Sequence, residues 1–144
     1  MTRVDFYGFA TGAAGDPLHL ACRLLEKAQG QGLRVYVNAP SEPVARALDR
    51  LIWTFRQDSF IPHGLFGAAD GSLTPVLIGW DRDPTGESQV LLNLAPDVPL
   101  YFSRFERLAE VVGADPDARQ RGRERYRFYR DRGYPLDYHE MQGP

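Results

Sequence analysis

The residues of this chain best equipped for chemistry are charged and aromatic rather than nucleophilic. Residues 118–134, ARQRGRERYRFYRDRGY, hold seven arginines against two acids, with four aromatics threaded between them. Guanidinium forks bind carboxylates and phosphates, and aromatic faces bind apolar termini or bases. A second possibility lies in GAAGD, Gly12 to Asp16, a glycine-rich loop between an expected strand and an expected helix. A phosphate-cradling loop needs backbone amides and a lysine followed by Ser or Thr at the helix start. This one offers Asp16-Pro17-Leu18, an acid that repels phosphate and a proline that lacks a donor, so it reads as a turn into a capped helix with no functional P-loop. His19 and Cys22 stand three apart, but Cys22 shares a stripe with Leu18, Ala21 and Leu25 and reads as a small buried hydrophobe. His63 and His139 lie near no ligand cluster, so no zinc site is expected. The carboxylates occupy capping and surface positions without forming an acid/base couple, so no catalytic residue and no cofactor is assigned.

The charge of the arginine segment is not typical of the chain. Net charge is −2 overall, whereas residues 118–134 carry +5, which leaves −7 for the remainder. A uniformly basic nucleic-acid binder does not have this distribution. The body repels a long polyanion, and one helix-sized patch attracts something acidic.

The elements that position these residues follow from periodicity. TRVDFYGF, residues 2–9, reads as a strand. Asp16 and Pro17 begin a helix that Gly30 and Gly32 close. LRVYVNA is a second strand, and Ser41 caps a helix from Glu42 to about Trp53. Residues 54–73 have no sustained period and read as an extended, partly ordered connection. TPVLIGW and QVLLNLA are strands buried on two faces, either parallel or joined as a hairpin. SRFERLAEVV reads as a third amphipathic helix, with Phe102, Phe105, Leu108, Ala109 and Val112 on its apolar side. Asp115-Pro116 starts the arginine helix, about 116–132, and residues 139–144 read as a flexible tail. Strands alternating with helices predict an α/β fold of three layers: a mostly parallel sheet with helices on both faces. At 144 residues and 43% hydrophobic composition the chain reads as one domain, which buries roughly 70% of its extended-chain surface. No apolar run is long enough to span a bilayer, and no charged-then-apolar leader opens the sequence, so a soluble cytoplasmic protein is expected.

Two helical wheels bring out surfaces that a monomer does not need. On the second helix Val44, Leu48, Leu51 and Ile52 form the core stripe, while Trp53 falls about 180° from Val44. Phe55 and Phe60 follow, then Pro62 and His63. The connection either folds back to cover Trp53 or leaves an aromatic hot spot for a partner. On the arginine helix Ala118, Gly122, Tyr126 and Tyr129 form a packed face, and Arg119, Arg123, Arg127 and Arg130 form a stripe bordered by Tyr126. Arg121, Arg125 and Arg132 form a second stripe beside Phe128. Like charges at i, i+4, as in Arg119/Arg123 and Arg123/Arg127, destabilise an isolated helix by roughly 0.2–0.5 kcal/mol a pair. Solvated arginines that use their stems to cover apolar area are the plain reading. A short acidic peptide with an apolar end is the functional one, and fits the footprint better than DNA does.

DFY in the first strand, ALDRLIWTF leading into SFIPHGL, FERLAEVV and RERYRFYRDRGYPL occur in this order along the chain. Together they resemble the chi subunits of the bacterial DNA polymerase III holoenzyme, over about residues 4–138. The resemblance implies a non-catalytic, Rossmann-like protein without a working nucleotide site, acting in DNA replication as an accessory of the clamp loader. It implies that Arg119, Arg123, Tyr126, Arg127 and Arg130 hold the acidic C-terminal tail of single-stranded-DNA-binding protein, which ends in Pro-Phe. It also implies that Trp53, Phe55, Phe60, Pro62 and His63 face the psi subunit, with DNA reached only indirectly. The link GADPDA is short, and no apolar residue in it clearly lines a tail pocket from that side. A direct single-stranded nucleic-acid-binding or processing domain is the alternative, and a nucleotide-dependent enzyme on the same fold is disfavoured by Asp16-Pro17.

Overall fold

Strand β1 (Arg3–Phe9) alternates buried and partly exposed side chains, and the chain leaves it for helix α1 (Pro17–Gly30). Asp16 caps α1 by accepting the Leu18 amide at 3.0 Å, and Pro17 needs no donor in the first turn. Strand β2 (Val35–Ala39) follows, then helix α2 (Glu42–Thr54), capped by Ser41. The computed structural model describes residues 1–58 and 60–142. Beyond α2 come β3 (His63–Leu65), β4 (Val76–Trp80) and β5 (Val90–Asn93). A 3₁₀ turn at Phe102–Arg104 leads into β6 (Arg107–Val111), helix α3 (Pro116–Asp131) and β7 (Leu136–Met141).

The seven strands form one sheet in the order β3-β4-β2-β5-β6-β1-β7, and every pairing is parallel. The fold is therefore the expected α/β, Rossmann-like arrangement of three layers. The hairpin considered for β4 and β5 does not form: both pair with β2, which lies between them. Helices α1 and α2 cover one face, where Leu20, Cys22, Leu25, Ala45, Leu48 and Ile52 pack on Val35, Val37, Ile78 and Leu92. Helix α3 and the segment around the 3₁₀ turn cover the other, with Phe102, Phe105 and Tyr129 on Val4, Phe6, Tyr36, Leu91 and Leu108.

Three expectations need correction. SRFERLAEVV is not a helix: Phe102–Arg104 is a single 3₁₀ turn and Arg107–Val111 is strand β6. Its apolar residues fit a helical stripe, but they also fit a strand covered on both faces, where Leu108 and Glu110 point to the α3 side and Ala109 and Val111 to the other. The anion at Glu110 looked like a solvent face and is in fact wholly buried. The supposedly loose tail is also ordered over His139–Met141, which belong to β7 and pair with Tyr7, Gly8 and Phe9; residues 143–144 lie outside the described residues. Finally, the aperiodic connection contains β3, whose three residues pair with β4 and give the sheet its first edge.

Candidate functional site

In open α/β sheets the ligand crevice lies at the carboxyl ends of strands whose connections leave in opposite directions. Here β1 leads through α1 to β2, three places to one side, while the neighbouring β6 leads through α3 to β7 on the other side of β1. Both helices turn a carboxylate toward that crevice. Asp16 caps α1, and Asp115 caps α3 by accepting the Ala118 amide at 2.8 Å. The Arg119 guanidinium bridges its two sides, donating from Nη2 to the Phe9 carbonyl at 2.9 Å and from Nε to the Ala114 carbonyl at 3.2 Å. The Leu18 and Ala118 amides at the two helix starts are thus engaged by the capping carboxylates.

The chemistry of α3 lies on its side rather than at its N-terminus. Across β6, β1 and β7, Glu110, Phe6 and Tyr138 are register partners. The ring of Phe6 meets those of Tyr126 and Tyr129 edge-on at 5.3 and 5.9 Å. Gly122 lets α3 approach the sheet closely, since a Cβ there would stand 2.7 Å from a Val112 methyl. Beside this contact is a cavity of about 290 Å³ lined by Phe6, Val112, Gly122, Tyr126 and Tyr138, with Arg119 and Arg123 at its rim. An apolar hollow next to two cations can take a short acidic segment with an apolar end.

The structure brings together Arg119, Arg123 and Tyr126 of the predicted tail-binding set. Arg127 and Arg130 are exposed one and two turns further along α3, outside the cavity lining, and Arg130 is paired with Asp131 at 3.2 Å. Arg119 is held by two carbonyls, whereas among the described residues Arg123 meets only the neutral Gln120 amide oxygen, at 2.7 Å. Phe6, Val112, Gly122 and Tyr138 were not expected as walls. Val112 supplies, immediately after β6, the apolar contact that the short link seemed to lack, and β7 supplies Tyr138. Strand pairing decides both, and no local pattern announces it.

The second stripe of α3 does not exist as such. Arg121 and Arg132 are exposed, but Arg125 is 5% exposed and turned into the protein. Its Nε donates to Glu110 Oε1 at 2.9 Å and its Nη1 to the Pro96 carbonyl at 2.8 Å. Glu110 also accepts the Tyr129 hydroxyl at 2.6 Å on Oε2 and the Asn93 amide at 2.9 Å on Oε1. Burial pushes the Glu110 carboxyl upward, and Arg125, Tyr129 and Asn93 pull it back.

At the far edge of the sheet, Trp53 is 57% exposed and Phe60 64% exposed. The connection does fold back, placing Phe60 5.9 Å and His63 4.7 Å from the Trp53 ring, yet it leaves the indole open. Of the predicted partner-facing set, Pro62 is half-buried and Phe55 packs on the core against His19. The His63 side chain is buried, with Nδ1 2.7 Å from the Ile61 carbonyl and Nε2 3.0 Å from that of Asp49. His63 therefore packs beneath Trp53 with its side chain buried.

The family described as DNA polymerase III chi subunit, HolC, matches residues 1–137. This chain belongs to that family. The chi subunit of Pseudomonas aeruginosa DNA polymerase III is 40% identical over 98% of both chains. The chi subunit of Escherichia coli is 28% identical over 82% of this chain and 81% of its own, and that of Haemophilus influenzae 29% over 81% and 82%. Membership in the chi family places the protein in DNA replication. Among the described residues no helix is long and apolar enough to cross a membrane, and no group of His, Cys, Asp and Glu is arranged to hold a metal ion.

Proposed function

We propose that this chi-family protein is a non-catalytic bridge in the cytoplasm, joining the acidic C-terminal tail of single-stranded-DNA-binding protein to the clamp loader of DNA polymerase III. The observation that carries this reading is the apolar cavity between α3 and the β1–β7 edge, rimmed by Arg119 and Arg123. The terminal Phe of a Pro-Phe tail enters among Phe6, Val112, Tyr126 and Tyr138. The acidic residues before it run along Arg123, Arg127 and Arg130, where charge-assisted bonds hold them. A negative body of −7 outside residues 118–134 disfavours a long nucleic acid on the same face. The exposed pair Trp53 and Phe60, backed by Pro62, Phe55 and His63, faces the psi subunit. Strand β3 and strand β7 are the opposite edges of the sheet. Six strand spacings of about 4.8 Å put roughly 29 Å between them, room for two partners at once.

Fluorescence anisotropy tests the reading. A labelled acidic peptide ending in Pro-Phe should bind, and the same peptide without its terminal Phe should not. A single-stranded oligonucleotide at moderate salt should bind weakly. Tight oligonucleotide binding without peptide binding would establish the direct nucleic-acid reading instead.

A further inference from the structure

The arginines of α3 point to nearly every side of the helix, so charge by itself does not fix which of them face the cavity. Helix rotation is normally set by a broad apolar stripe. On α3 the buried residues are Gly122, Arg125 and Tyr129, a narrow seam with a cation in its middle. We propose that the Arg125–Glu110 pair, with Tyr129 and Asn93, is a positioning device that fixes the rotation of α3 and so selects the arginines presented at the cavity. This rests on the tail-binding reading given above and extends it to residues that touch no tail.

The geometry supports the assignment in three ways. Arg125 and Tyr129 are one turn apart and donate to the two different oxygens of the same carboxylate, at 2.9 and 2.6 Å. Two donors from successive turns on one anion fix both the rotation and the axial position of the helix. The anion is itself fixed: Glu110 lies in mid-sheet beside its register partner Asn93, whose amide donates to it and whose oxygen accepts from Asn38 at 2.9 Å. Tyr129 then passes the position on, because its ring and that of Tyr126 meet Phe6, a wall of the cavity, from the same side. A rotation by one residue, about 100°, would remove both α3 donors and leave a wholly buried carboxylate without its cation, held by Asn93 alone.

Buried ion pairs add little net stability over well-packed apolar substitutes, and in some proteins they serve instead to specify one arrangement. That contrast supplies the test. The double variant Glu110→Leu/Arg125→Met replaces the pair by apolar groups of similar bulk. Its melting temperature should fall only modestly, because the buried Tyr129 hydroxyl loses its acceptor, while affinity for the acidic Pro-Phe peptide falls ten-fold or more. Capture of the partner bound through Trp53 should be retained. A stable double variant with wild-type peptide affinity overturns the proposal. Should it melt below the assay temperature, Tyr129→Phe carries the test, because it removes one donor and keeps the ring. Three-fold or greater weakening is then expected, and unchanged affinity overturns the proposal equally. A wild-type protein that fails to bind the peptide removes the tail-binding reading and this inference with it. Wild-type binding combined with undiminished variant binding removes the inference alone.

Discussion

Arg119 and Arg123 are one turn apart on α3 and have the same formal charge, but the fold uses them differently. Arg119 ties the end of β1 to the loop after β6 through two carbonyls, so it shapes the cavity as well as charging it. Arg123 is exposed and, among the described residues, bonded only to Gln120, a neutral acceptor it can exchange for a carboxylate. Arg123→Ala should therefore cost about 1.5–3 kcal/mol of peptide affinity, read by anisotropy, with an unchanged melting temperature. Arg119→Ala should lower both. Cys22 makes the opposite point about reactive groups. It is fully buried, and burial first, with Asp16 second, pushes its thiol up to about 12. Native protein at pH 8 should stay unalkylated by iodoacetamide while urea-unfolded protein reacts completely, as intact mass will show.

At the scale of elements, α3 was legible and β6 was not. Asp115, Pro116 and the small-aromatic face at Gly122, Tyr126 and Tyr129 mark the helix unambiguously, and the structure bounds it at Pro116–Asp131. FERLAEVV carries apolar residues that satisfy two periods at once, and only the burial of Glu110 against Arg125 separates them. A buried carboxylate depends on a partner fifteen residues away, which no local window contains. The close approach of α3 to the sheet has its own test. Gly122→Ala gains up to about 1 kcal/mol of helix propensity. The added methyl meets the branched Val112 side chain at 2.7 and 2.9 Å, and overpacking of this kind costs about 1–3 kcal/mol. The variant should melt lower by chemical denaturation. It should also lose peptide affinity, because Val112 and Gly122 are both cavity walls.

Over the whole molecule, the two candidate surfaces occupy opposite edges of one sheet and share no residue. Perturbations that far apart add independently. Trp53 is more than half exposed but packs on Phe60 and His63, so Trp53→Ala should cost no more than about 1–2 kcal/mol of stability. It should abolish capture of the clamp-loader partner and leave peptide affinity intact. Joint loss of stability and of both interactions would show instead that Trp53 is a core residue. Much of this design can be read in the residues themselves: the α/β class, the capped helices, the failed phosphate loop, the acidic body with its one basic helix, and a tryptophan on the wrong side of α2. These are local or compositional properties, set by periodicity, capping chemistry and charge count. The tertiary structure alone decided the parallel order of the strands, the walls of the cavity and which arginine is buried. Each of these depends on residues far apart in sequence, Phe6 with Tyr138 and Glu110 with Arg125, which meet only when the sheet assembles.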